Sequence, residues 1–263
     1  SAIIELTGGA TALYGSVANS GTLTGSFSGC PTCIGLPVGL RIESDLSMAE
    51  GGGLSIAGGS VEVGRSFFST AFDSQPFSML AGGIRMNNSG QGASTMEAMS
   101  RDYGPAGAAL RADIDSSFPV GILEVGPNAT VLNLVDAFDN DARGQSVREA
   151  VYVETLIVNP GSRLNTGGIK VYARYTSIAG TVDNINNIIT LGAQCDADLQ
   201  IDAVVDDADF SSFITAYDVA ACSDSAMPRL GGGGCRADLN YDGIVDDADF
   251  QVFVVAYDQL LCN

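Results

Sequence analysis

The sequence predicts a mainly β chain with a small helical appendix: a Gly-rich β-solenoid (parallel β-helix) or β-sandwich body over residues 1–194, then an α-helical module over 195–263. Three observations carry this. From Ala2 to about Thr190 short apolar runs are broken by Gly, Asn, Ser and Pro with almost no helical periodicity. A turn motif recurs within that region at an offset of 33 residues. The last 69 residues contain one unit written twice at an offset of 40.

In the body the runs Ile3 to Leu6, Leu40 to Leu46, Leu54 to Val63, Val120 to Val125, Val131 to Val135, Val151 to Val158 and Ile169 to Tyr175 read as strands. The recurring corner is Val125-Gly-Pro-Asn128-Ala-Thr-Val131 and Val158-Asn-Pro-Gly161-Ser-Arg-Leu164, with Met48-Ala-Glu-Gly51-Gly-Gly-Leu54 in the same frame. Pro at the second turn position, twice, and Gly or Asn at the third predict type II turns, which need a positive φ at the third residue. Gly58-Gly59 and Gly167-Gly168 then mark the next corner. Repeated strand, corner, strand units favour a right-handed solenoid whose coils stack their apolar residues, with a jelly roll or other sandwich as the alternative.

Within the body, Met79, Met86, Met96 and Met99 are expected to fill gaps in a core, and Asn87 to Gly92 to form a polar loop. Cys30 and Cys33, in CPTC, are expected to close a loop as a disulfide, since no βαβ pattern surrounds them. The run Asp136, Asp139, Asn140 and Asp141 could bind a cation, but its spacing matches no named loop and a solvated turn is the favoured reading. Asp113 with Asp115, or Asp136 with Asp139, are the weak candidates for a paired-acid catalytic site.

The tail repeats Cys195 to Cys222 as Cys235 to Cys262. In the second copy Asp238, Asn240, Asp242, Asp246 and Asp249 stand at positions 1, 3, 5, 9 and 12 of an EF-hand-like calcium loop. Gly243 is at the turn, and Ile244 offers its carbonyl at position 7. The first copy has Asp198, Gln200, Asp202, Val204, Asp206 and Asp209, with Ala203 in place of the turn Gly. Gln is a neutral donor and Ala resists a positive φ, so of two calcium sites the second is expected to be stronger. Phe210, Phe213, Ile214 and Tyr217, and Phe250, Phe253, Val254 and Tyr257, follow as apolar helical faces. Four Cys frame the copies, and pairing Cys195 with Cys222 and Cys235 with Cys262 is preferred because each bond would staple a loop to its own helix. Exchange between copies stays open.

Loops that end in Asp and run straight into a helix resemble the dockerin family, of type I. The Cys-flanked ADLNYDGIVDDADF unit after a Gly-rich β segment also resembles large secreted and cell-surface proteins of planctomycete bacteria. The dockerin resemblance implies paired helices that dock onto a cohesin-like β-sandwich. The β body of an identical subunit is the other candidate partner.

The tail carries 14 acidic against 2 basic residues, most of the net charge of −19, so its carboxylates need cations to fold. A pI of about 4.1 argues against nucleic acid. The absence of His excludes Ser-His-Asp and Cys-His catalysis and His-ligated zinc. Ser1 in place of Met, the Cys frame and the lack of a membrane-length apolar run lead us to expect a secreted or cell-surface product. The function expected is a calcium-stabilised structural protein that self-associates into a filament, surface layer or matrix. The alternative is a cohesin-docked carbohydrate-binding or carbohydrate-active subunit, a polysaccharide lyase or hydrolase.

Overall fold

The computed structural model describes residues 3–7, 11–13, 17–19, 22–26, 38–50, 52–71, 77–88, 92–105, 110, 116–127, 129–141, 143–144, 147–191, 197–200, 204–224, 226–227, 235–239 and 244–259. The chain divides into two compact units, Ser1–Asp102 with Ser116–Thr190, and Tyr103–Asp115 with Leu191–Asn263. The second unit thus begins slightly before residue 195 and also takes in the short segment 103–115.

The first unit is built on two parallel sheets. One holds β1 (Ile3–Thr7), β2 (Thr11–Leu13), β4 (Thr22–Ser26), β5 (Val38–Ile42), β7 (Gly53–Ala57), β8 (Ser60–Val63), β10 (Phe77–Met86), β12 (Val120–Val125), β14 (Val151–Val158), β16 (Val171–Ile178) and β18 (Ile188–Thr190). The other runs in the order β17 (Thr181–Val182), β15 (Arg163–Asn165), β13 (Val131–Val135), β11 (Ala93–Glu97), β9 (Ser66–Ser69), β6 (Leu46–Met48) and β3 (Val17–Asn19). From β12 to β18 the chain alternates strictly between the sheets, so each strand lies parallel to the one two steps back. The long strand β10 joins two ladders, pairing with β7 through Phe77 and with β8 through Gly83 to Met86.

Parallel, in-register pairing places like residues above like, which is why a Val, Ile and Leu-rich sequence forms columns. Ile42, Val63, Met86, Val125 and Val158 stack at consecutive register positions, as do Leu40, Val61, Ile84, Leu123 and Leu156. Leu46, Phe67, Met96 and Leu134 form the facing column of the second sheet. All fourteen are buried in one core, each contributing roughly 1.5–3 kcal/mol of transfer free energy. Met79, Met86, Met96 and Met99 are core residues, as expected. Close stacking also demands Gly121, because a Cβ there would stand 2.2 Å from the Leu80 carbonyl oxygen.

The corner after β14 is the expected type II turn: Ser162 N–H donates to the Asn159 carbonyl at 3.0 Å and Gly161 has φ +77°. Its counterpart differs. Gly126-Pro127 is a cis peptide and positive φ falls on Gly126 and Ala129, while Asn128 and Gly51 lie outside the described residues. Of the expected polar loop, Asn87 and Asn88 are buried, and residues 89–91 lie outside the described residues.

The second unit contains α1 (Asp207–Tyr217) and α2 (Asp247–Gln259). Phe213 and Phe253 stack at 5.1 Å between the helices, both fully buried. Tyr217 Oη donates to Asp247 Oδ1 at 2.6 Å, and Tyr257 Oη donates to Asp207 Oδ1. Each helix therefore ties its last turn to the first turn of the other, the reciprocity of an antiparallel pair. Among the described residues no helix is long and apolar enough to cross a membrane.

Candidate functional site

The two acidic loops of the helical unit are placed in part. Asp198, Gln200, Val204, Asp206 and Asp209 of the first and Asp238, Ile244, Asp246 and Asp249 of the second are described; Asp202, Asn240 and Asp242 lie outside the described residues. Asp209 is buried, and its Oδ1 and Oδ2 accept from Gln200 N (2.9 Å) and Asp206 N (3.0 Å). Asp249 repeats this with Leu239 N (2.7 Å) and Asp246 N (2.9 Å). Asp206 and Asp246 in turn accept from Ala208 N and Ala248 N, each at 2.8 Å. The acids at positions 9 and 12 therefore cap the helices and fold the loops back on them, whatever else they bind. Each carboxylate oxygen keeps lone-pair capacity beyond one hydrogen bond. Arg236 is fully buried and donates to the carbonyls of Asp198 and Leu199, so the second copy reaches into the first loop. Nothing in the calcium pattern announces this, because Asp196 stands at the equivalent place in the first copy.

The preferred disulfide pairing is corrected. Cys222 bonds Cys235, with Cα atoms 5.3 Å apart. The antiparallel packing explains it: the chain leaving α1 runs beside the second loop, where Ala221 bridges Ile244 and Val245 N–H donates to the Ala220 carbonyl at 2.7 Å. The end of the first helix consequently meets the start of the second loop rather than of its own. Cys30, Cys33, Cys195 and Cys262 lie outside the described residues. Asp238 Oδ2 sits 3.6 Å from Cys222 Sγ, a packing contact, since a disulfide sulfur has no proton to donate. For the same reason that trio offers no thiolate to a metal.

The helical faces read from the sequence are only half used for packing. Phe213 and Phe253 are buried, whereas Phe210, Ile214, Tyr217, Phe250 and Val254 are 36–39 % exposed. Two shallow grooves follow from this, one lined by Phe210, Phe253, Val254 and Tyr257 and the other by Ile214, Tyr217, Asp247 and Phe250.

A second acidic site lies in the β unit, and the sequence reading missed most of it. Asp136 follows β13, whose Val135 is the register partner of Glu97 at the end of β11. Residues 137–141 follow, and Glu149 leads into β14. Asn140 Nδ2 donates to the carbonyls of Ser69 (3.1 Å) and Ala71 (2.6 Å), which pins this turn to the end of β9. Glu97 Oε1 accepts from Ala137 N (2.7 Å) and Phe138 N (2.9 Å). Glu149 Oε1 accepts from Asn140 N and from Asp141 N (2.9 Å), and Glu149 N donates to Asp136 Oδ2 at 3.2 Å. The segment is therefore no solvated turn: Asn140, Asp141, Glu97 and Glu149 are all buried.

Burial pushes the Glu97 carboxyl up to about 7, against the two backbone N–H groups, with Asp136 adding to the rise. Burial likewise pushes Glu149 up to about 8, helped by Asp136 and Asp141. Asp136 is raised as well, mainly by burial, with the Glu149 N–H and Arg148 acting the other way. Asp139 and Asp141 also each bring an oxygen within 4.8 Å of Glu149, and both meet Arg143, whose backbone N–H donates to both and whose guanidinium pairs with Asp141. Asp113 and Asp115 lie outside the described residues. The signal that could have found this site is the lone acid Glu97 among Met96, Ala98 and Met99, because a carboxylate is rarely buried without a partner.

No protein-family model, curated protein or solved structure matches the chain.

Proposed function

We propose that this chain is a non-enzymatic extracellular structural protein: a β-solenoid body carrying a dockerin-like, calcium-stabilised helical module through which it self-associates into a filament, surface layer or matrix. The observation that carries the reading is the duplicated apolar face of the helix pair. Phe210, Ile214 and Tyr217 in one copy and Phe250 and Val254 in the other stay at the surface although Phe213 and Phe253 already supply a core. Apolar residues repeated by an internal two-fold and left outside the core form a ready contact surface.

The occupant we assign is a second copy of the same chain. Along its main path the larger sheet ends in β1 on one side and β18 on the other, so a neighbour can extend it head to tail. A heterologous contact of this sort repeats without closing and gives linear assemblies. Columns of apolar residues along consecutive parallel strands support the solenoid description, and the Cys222–Cys235 bond is in keeping with an oxidising compartment. Calcium in the two loops would neutralise the acids that otherwise repel across the module.

Negative-stain microscopy and light scattering of the full chain, in calcium and then in chelator, test the proposal. We expect assemblies in calcium that Phe210→Ser with Phe250→Ser abolishes. Monodisperse single chains in both conditions would overturn it.

A further inference from the structure

One oxygen from each of Glu97, Asp136 and Glu149 lies within 4.8 Å of the other two. Glu97 and Glu149 are 0 % and 2 % exposed. Each spends Oε1 on two backbone N–H groups and leaves Oε2 buried without a hydrogen-bond partner. We propose that these three carboxylates form a divalent-cation site in the β unit, selective for calcium, which clamps residues 136–141 and Glu149 onto the ends of β11 and β13.

Charge is the first support. An ion of carboxylate size loses several kcal/mol of solvation on burial, roughly, unless a counter-charge replaces the water. Three such groups meet here, and the nearby cations are shared: Arg143 pairs with Asp141, and Arg148, which acts on Asp136, extends to the Gly167 carbonyl at 2.7 Å. A divalent ion would supply counter-charge, and Glu97 and Glu149 each have a buried oxygen without a hydrogen-bond partner to offer it.

Donor chemistry and placement are the second. All three donors are carboxylate oxygens, two of them on fully buried side chains, and a dry all-protein oxygen site suits calcium better than magnesium, which keeps several of its waters. The donors are also held in place before any ion arrives. Ala137, Phe138, Asn140, Asp141 and Glu149 donate backbone N–H groups to the three carboxylates, the outer-shell fixing that metal sites use to lower the ordering cost. Asn140 Oδ1, on the same turn, is a further buried acceptor without a partner.

The site shares no residue with the tail loops and lies in the other compact unit, so it stands or falls separately from the dockerin-like reading. The test counts calcium bound to the full chain by equilibrium dialysis against calcium chloride. Glu97→Gln with Glu149→Gln should bind one calcium fewer than the wild type. A chain with both tail loops disabled by Asp198→Ala and Asp238→Ala should still bind one. Gln keeps the shape and removes the buried charge, so in chelator the double variant should melt no lower than the wild type while losing the calcium-induced rise in the β transition. Should that variant not fold, Asp136→Asn gives the same count. Equal calcium in wild type and the Gln variant, or none in the loop-disabled chain, overturns the site whatever the tail binds. Displacement of that calcium by an equal concentration of magnesium chloride overturns the assignment to calcium.

Discussion

Replacing Arg85 with Met probes whether the outer face of the larger sheet is held by charge. Arg41, Glu62, Arg85 and Glu124 are register partners on four successive strands. Their side chains form a ladder, Arg41 Nε to Glu62 at 3.3 Å, Arg85 Nη1 to Glu62 at 3.7 Å and Arg85 Nε to Glu124 at 2.7 Å. Arg85, Glu62 and Glu124 are 18 %, 7 % and 13 % exposed, so the ladder lies between the surface and buried limits. Exposed pairs contribute about 0–1 kcal/mol, whereas deleting one partner of a buried pair costs about 3–5 kcal/mol. Glu62 retains Arg41, and Glu124 retains Asn159 Nδ2 at 2.8 Å. Arg85→Met keeps the aliphatic stem, so an intermediate loss of about 2–3 kcal/mol is expected. Urea unfolding followed by the strand circular dichroism signal measures it, at fixed calcium. A cycle with Glu124→Gln should return a coupling of about 1–2 kcal/mol. A loss below about 0.5 kcal/mol, or additive single and double variants, would show that the ladder is no more than a row of solvated surface charges.

Phe253→Ala should cost the helical unit about 3–5 kcal/mol by emptying its central stack, while Val255→Ala, at 61 % exposure, should stay within about 0.5 kcal/mol; equal losses in helix-signal melts would contradict the assigned core. Asp249→Ala removes acceptors for Leu239 N and Asp246 N, so thermal melts should show a loss of about 1–2 kcal/mol even in chelator and more in calcium. Identical chelator melts would mean the cap does not form without the ion. Asp183 is a carboxyl whose pKa is lowered: burial pushes it up, but hydrogen bonds from Thr166 N and Oγ1, Asn184 N and Gly167 N outweigh that. A depressed folded pKa gives stability that is present above the unfolded value and lost on acidification. The gap between wild type and Asp183→Asn should therefore be widest near neutrality and close as pH falls below about 4; a gap independent of pH would refute the carboxylate's role.

Much of the β unit was legible because parallel stacking writes itself into local composition. Val120–Val125, Val131–Val135 and Val151–Val158 are apolar runs cut by Pro, Gly and Asn, and the observed strands have those bounds. The positive φ of Gly161 follows from Pro160 before it, since only Gly adopts that conformation freely. The helices were equally legible, because DDADF repeats an N-terminal cap followed by apolar residues at helical spacing. Such features depend on residues within one turn or one strand of each other, and the sequence by itself determines them.

What the sequence could not determine depends on which distant segments become neighbours. Helical spacing marks Phe210 and Phe213 alike as apolar, yet antiparallel packing buries one and leaves the other at the surface. The same packing carries Cys222 to Cys235 rather than to a cysteine on its own loop. Glu97 and Glu149 are 52 positions apart in the chain, and only the stacking of β11 on β13, with the return of the chain into β14, brings their carboxylates to Asp136. Local chemistry specified the strands, turns and helix starts. Tertiary structure decided which acids lost their water, because solvation is removed by whatever packs above a group and not by its neighbours in the chain.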